Sequence, residues 1–95
     1  MLFSLGVLLL AGCMSIETTV PPVATLTARG KNPASLEAGR HIYLESCTHC
    51  HRAEPVRDYA AAKWPGIIAD MAGRAKLSAA QKRAVLDYVL AAAAP

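Results

Sequence analysis

The stretch Cys47-Thr48-His49-Cys50-His51 decides how this 95-residue chain folds. It has the Cys-x-x-Cys-His spacing at which haem is attached covalently to c-type proteins. Each thiol of such a pair can add to one vinyl group of a haem, and the histidine that follows directly can ligate the iron. The spacing therefore predicts one covalent haem c held by Cys47 and Cys50, with His51 as the proximal iron ligand.

Three other uses of Cys47 and Cys50 have less support in the sequence. A dithiol redox pair is typical of a βαβ context, and no strand pattern flanks the motif. A structural zinc site needs a second pair of ligands, for which His41 and His49 are poorly spaced. A disulfide between the two cysteines would close a loop too short to stabilise the fold much.

The length of the folded region also favours a core that a cofactor completes. About sixty residues bury only about 60% of the surface that the unfolded chain exposes, which is marginal for a domain alone. The whole chain has one Trp and one Phe, so large apolar side chains are few. We expect the haem to supply the missing part of the core.

The amino terminus carries a second motif, which begins with the apolar run from Leu2 to Leu10. Such a run is too short to span a bilayer and is typical of a signal peptide. The stretch Leu10-Ala11-Gly12-Cys13 resembles the lipobox of bacterial lipoproteins. This resemblance implies a signal peptide over residues 1–12, cleavage before Cys13 and a lipid on the Cys13 sulfur. Lipidation would also account for the third cysteine, which the haem does not use.

The sequence after Cys13 predicts an extended linker over residues 13–31, ahead of a folded domain over residues 32–95. Pro21 and Pro22 lie among threonines and valines with little charge, a composition that disfavours a helix. About fifteen such residues in polyproline-like conformation would reach some 45 Å at roughly 3.1 Å each. We therefore expect a tether that lets the domain move away from its lipid.

Three helices and no strands are predicted for the domain, so the fold class is all-α. Asn32 and Pro33 offer a cap and a first-turn proline for the first helix. Pro65 marks the first turn of the second helix. Ser78 and Gln81 form a capping-box pattern at the start of the third.

The haem motif within these helices resembles the small class I-like monohaem cytochromes c, over about residues 33–93. In that family a Gly and an aromatic residue four positions later precede the motif, as Gly39 and Tyr43 do here. The resemblance implies a three-helix fold wrapped around the haem. It also implies that the C-terminal helix crosses closely at Gly39, with Tyr88 as the aromatic partner.

Met71 is the predicted second iron ligand. After cleavage before Cys13, the remaining thioethers belong to Met14, beside the lipid, and Met71. Met71 shares a predicted helix face with Trp64, Ile67 and Ile68, and the resemblance implies a Met ligand from the far side of the haem. A core methionine at helical spacing and a five-coordinate iron are the alternatives, and His41 and His49 are expected at the surface.

The charge of the chain is mildly basic, with ten Lys and Arg against seven Asp and Glu. Such an excess would favour docking to an acidic redox protein. The sequence does not show the interleaved basic and aromatic residues that would indicate nucleic-acid binding. Arg52, Arg57 and Lys63, together with Trp64, would either meet the haem propionates or, for the three cations, remain solvated.

The sequence as a whole predicts an electron-transfer cytochrome rather than an enzyme. A thioether–imidazole pair raises the reduction potential of a haem and closes the iron to substrates. We expect a monomer, or a subunit of a redox complex, anchored by lipid in the bacterial periplasm, with the outer membrane favoured. The alternatives are a haem-based sensor with an open sixth position and a cytochrome subunit of a larger oxidoreductase.

Overall fold

Three α-helices make up most of the part of the chain that the computed structural model describes, which is residues 19–26, 30–46 and 55–94. They are α1 (Pro33–Ser46), α2 (Trp64–Ala75) and α3 (Ala79–Ala93). Short 3₁₀ turns occur at Val23–Thr25, Val56–Asp58 and Ala61–Lys63, and these ranges contain no strand. The all-α prediction is confirmed for the described residues.

The helix ends follow local side-chain chemistry. The backbone N–H of Ala34 donates to Asn32 Oδ1 at 2.8 Å, which satisfies one of the free donors at the start of α1. The Ser78 and Gln81 side chains each accept from the other's backbone N–H, so the predicted capping box of α3 is confirmed. Lys76 ends α2 in the left-handed conformation, with φ of 57°.

The backbones of α1 and α3 come into close contact where the two helices cross, at Gly39. A Cβ on Gly39 would overlap the backbone carbonyl of Ala84 and lie 2.9 Å from Tyr88 Cβ. Only a residue without a side chain permits this approach. The expectation that the C-terminal helix crosses closely at Gly39 is confirmed, and the Tyr43 and Tyr88 rings lie beside the crossing with centroids 6.4 Å apart.

The core lies where all three helices meet. Each helix contributes residues at the three- and four-residue spacing of one helix face. The buried apolar side chains of the cluster are Val20, Val23, Leu36, Tyr43, Val56, Trp64, Ile68, Val85, Tyr88, Val89 and Ala92.

Residues 19–26, which we call the strap, pack against α1 and α3. Val20 is fully buried and Val23 nearly so. The Tyr88 hydroxyl donates to the Pro21 carbonyl at 2.6 Å. Arg40 donates from Nη2 to the Val20 carbonyl at 3.0 Å, and from Nε to the Val20 and Pro21 carbonyls at 3.2 Å each.

The strap lies within the segment 13–31, for which the sequence predicts an extended linker. The backbone on either side of Val23–Thr25 is indeed extended, at Pro22 and at Leu26. The structure differs from a free tether, however, because the buried Val20 side chain and the carbonyls of Val20 and Pro21 have partners on the helices. The rest of the segment, residues 13–18 and 27–29, lies outside the described residues.

Gly39→Ala is expected to lower the free energy of unfolding by about 1–3 kcal/mol, because the new methyl group meets the backbone of α3 rather than a flexible side chain. Urea denaturation followed by circular dichroism measures the change. Gly73→Ala in α2 is the matched control: nothing lies within 4 Å of a Cβ there, and it should stabilise the protein by roughly 0.5–1 kcal/mol. Equal effects of the two substitutions would contradict the close crossing.

Candidate functional site

The candidate site is the region around the Cys-x-x-Cys-His motif. Cys47, Cys50 and His51 lie outside the described residues, as does the predicted lipidation site Cys13. The chain on both sides of the motif is described: α1 ends at Ser46, directly before Cys47, and the description resumes at Pro55. The geometry of the site is therefore given by these flanks and by α2.

Trp64 joins the two flanks of the motif. Its ring lies edge-on to the Tyr43 ring in the last turns of α1, with centroids 6.0 Å apart and planes at 73°. Its indole Nε1–H donates to the carbonyl of Val56 at 3.0 Å, and Val56 is itself fully buried. One buried side chain thus fixes the segment that leads into the motif and the segment that follows it.

Met71 lies on α2, two helical turns beyond Trp64. Trp64, Ile68 and Ala72 are the buried residues of this helix. Ile67 and Met71, each one residue before a buried position, are half-buried. Since successive residues are rotated by about 100° around a helix, Ile67 and Met71 lie along the edge of the buried face.

The packing of Met71 differs from that of a core methionine. Partly buried apolar side chains that pack against the core of the described residues include Leu44, Ile67 and Leu77, whereas Met71 is not among them. Its thioether is a soft donor of the kind that ligates haem iron. Met71 thus lies at the edge of the core rather than within it.

His41 is at the surface, as expected. Its side chain is 72% exposed, and Nε2 lies 2.7 Å from Glu45 Oε2, one turn further along α1. In the part of the chain that the structure describes, no three His, Cys, Asp or Glu side chains lie together as a metal-ion site. The predicted iron ligand within that part is Met71 alone.

Three of the four side chains predicted as partners of the haem propionates lie in the described part of the chain. The Trp64 indole N–H is already donated to the Val56 carbonyl. Arg57 Nε donates to the carbonyl of Ala92 at 2.9 Å, which satisfies an acceptor at the end of α3. Lys63 is exposed, and Arg52 lies outside the described residues.

Burial shifts the acidity of one group that packs near the site. Burial raises the pKa of Tyr88 to about 12, against the opposing effect of the Arg40 guanidinium beside it. The neutral hydroxyl is the form that donates to the Pro21 carbonyl. Tyr88 therefore stays protonated at physiological pH and acts as a structural donor.

Arg40 is a residue for which sequence reasoning assigned no role. It forms three hydrogen bonds to strap carbonyls that precede it by 19 or 20 residues. The sequence near Arg40 does not show which acceptor it binds, because every residue has a backbone carbonyl. The apolar spacing of Val20, Val23 and Leu26 is the one signal in the strap itself that indicates a buried side.

Comparison with known proteins adds no assignment. No protein-family model, curated protein or solved structure matches the chain. None of the helices in the described ranges is long and apolar enough to cross a membrane.

Tyr88→Phe is expected to remove part of the alkaline destabilisation of the protein. Because the pKa of Tyr88 is about 12 in the folded state and 10.0 ordinarily, its contribution is complete below pH 10 and is lost as pH rises towards 12. The wild type should lose about 2 kcal/mol more than Tyr88→Phe over that interval. Urea denaturation at several alkaline pH values measures both proteins, and parallel stability curves would contradict the assignment.

Proposed function

We propose that the protein is a lipid-anchored monohaem cytochrome c that passes single electrons between periplasmic or membrane redox proteins. Cys47 and Cys50 hold the haem, and His51 and Met71 ligate its iron. Cys13 carries the lipid. The single observation that carries the proposal is the Cys-x-x-Cys-His spacing at residues 47–51.

The helix packing around the motif supports this proposal. The close crossing at Gly39, with Tyr43 and Tyr88 beside it, is the arrangement that the resemblance to small class I-like cytochromes c implies. The motif follows α1 without a gap, and α1 is held against α3 by that crossing. The proposed attachment site therefore begins at the end of a helix whose position is fixed by backbone contact.

The position of Met71 supports a closed iron site. A haem bound by the chain would supply one-electron redox chemistry, and its axial ligands would set the potential. The chain's own contribution would be the imidazole of His51 and the thioether of Met71, and the described flanks of the motif meet at Trp64 on the Met71 helix. Met71 lies half-buried beside the core, one position before the buried Ala72, and this placement supports its use as the second ligand.

The location and partners follow from the two motifs. The lipobox-like stretch before Cys13 supports an anchor in the periplasm, with the outer membrane favoured. The modest basic excess of the chain, +3 at pH 7, is compatible with an acidic donor or acceptor. A redox complex that contains this chain as a subunit would use the same residues.

Haem content is the direct test of the proposal. Protein made in a host that attaches c-type haem should give the spectrum of one covalent haem per chain when reduced in alkaline pyridine. The control is Cys47→Ala combined with Cys50→Ala, which removes both thiols and should leave no covalent haem. A wild-type protein without haem under these conditions would overturn the proposal.

Met71→Leu should open the sixth position while nearly preserving the packing volume, at a stability cost below about 1.5 kcal/mol. We expect loss of the weak long-wavelength band of a thioether-bound oxidised haem, a lower reduction potential and binding of one CO per reduced haem. Ile67→Leu is the matched control, one turn earlier on the same edge of α2, and should leave all three readouts unchanged.

CO binding also separates this proposal from the alternative of a haem-based sensor. Rapid, stoichiometric CO binding by the reduced wild type at neutral pH would exclude the closed electron carrier. It would instead favour an open or displaceable sixth position. Slow or absent CO binding in the wild type, together with CO binding by Met71→Leu, is the result that the electron carrier predicts.

A further inference from the structure

The strap limits how far the folded unit can lie from a lipid on Cys13. A linker of residues 13–31 that was free along its length would place eighteen Cα–Cα steps between Cys13 and Lys31, or about 60 Å when fully extended. Thr19 is the first described residue, and the next one, Val20, is fully buried. With the strap docked, only five residues lie between Cys13 and Thr19, and the six Cα–Cα steps that join these two residues reach about 20 Å at most.

The contacts that hold the strap come from both helices of the crossing. The Val20 side chain is enclosed in the core, and its carbonyl accepts two hydrogen bonds from the Arg40 guanidinium. The next carbonyl, that of Pro21, accepts from Tyr88 on α3 and from Arg40 on α1. A charged donor and a buried hydroxyl thus fix two consecutive carbonyls, at the end of the strap that is nearest to Cys13 in the chain.

The strap also carries no charge that would resist a nearby lipid surface. Residues 19–26 read Thr-Val-Pro-Pro-Val-Ala-Thr-Leu and include no ionisable side chain. Ala24 and Thr25 are its exposed residues, and Pro22 and Leu26 are half-buried. Bringing this surface towards a bilayer therefore desolvates no charged group.

We infer that the docked strap holds the folded unit within about 20 Å of the bilayer that carries the Cys13 lipid. This inference rests on the proposed lipid anchor and goes beyond it. The partner of this face is the lipid surface itself. The lipid is therefore connected to the domain by a short segment of chain, in place of the long tether that the composition of residues 13–31 predicts.

The test uses the full lipidated chain, purified from membranes and bound to a supported phosphatidylcholine bilayer. Neutron reflectometry measures the gap between the lipid headgroups and the protein layer. A random coil of six residues would have an r.m.s. end-to-end distance of about 13 Å, and one of eighteen residues about 23 Å, so the two cases differ in the gap that they allow. We expect the wild type to show the smaller gap, with no protein layer whose near edge lies beyond about 20 Å.

Val20→Asp should release the strap, because a carboxylate at this position would be buried without a partner. The mean gap should then increase by a factor of about 1.7, which is the square root of the ratio of the two chain lengths. Ala24→Asp is the matched control. It adds the same charge at an exposed position of the same strap, and on a zwitterionic bilayer it should leave the gap unchanged.

Arg40→Ala provides a second way to release the strap, because it removes three hydrogen bonds without placing a charge in the core. Circular dichroism checks that each variant is folded. If Val20→Asp is unfolded, the test uses Arg40→Ala in its place. A wild-type gap as large as that of the released variant would overturn the inference, and so would an unchanged gap in a folded Arg40→Ala.

A Cys13→Ser variant distinguishes failure of this inference from failure of the lipid anchor. It should not bind the bilayer. If it binds as well as the wild type, or if the wild type does not bind, the lipid anchor is overturned and the inference with it. If the wild type binds through Cys13 but lies far from the headgroups, the lipid anchor stands and only the short connection to the domain is wrong.

Discussion

The backbone contact between α1 and α3 at Gly39 is the constraint on which the rest of the structure depends. It brings Tyr43 and Tyr88 together, each one turn beyond the crossing on its own helix. Trp64 packs edge-on to Tyr43 and so sets the start of α2. On the other helix, the Tyr88 hydroxyl reaches Pro21 and holds the strap. A side chain at Gly39 would separate the helices and disturb each of these contacts.

The parts of the fold that the sequence predicts are those governed by local chemistry. Caps at Asn32 and Ser78 act within a few residues, so they can be recognised without knowing what the helices pack against. The close approach at Gly39 was expected as well, through the resemblance that the haem motif suggested. The axial role of Met71 remains a prediction, and the structure places this residue at the edge of the buried face of α2.

The strap and its partner Arg40 could not be predicted, because their interaction is long-range. The composition of residues 19–26 indicates extended backbone, but an extended segment can lie free in solvent or along a groove. Which of these occurs depends on whether buried partners exist, and Arg40 and Tyr88 supply them from helices 19 to 67 residues further along. For the same reason, the division of α2 into buried positions and edge positions depends on its rotation against the other helices.

The pairing of the two ends of the chain has a consequence for when the protein can fold. The Pro21 carbonyl and the Tyr88 hydroxyl are 67 residues apart, and α1 buries Leu36 and Tyr43 in a core to which α3 contributes four residues. During synthesis, the strap and α1 can contact each other through Arg40, but the Tyr88 hydroxyl and the core residues of α3 are missing until α3 is made. A nascent or truncated chain that lacks α3 therefore has an incomplete core, and cooperative folding must wait until α3 is made.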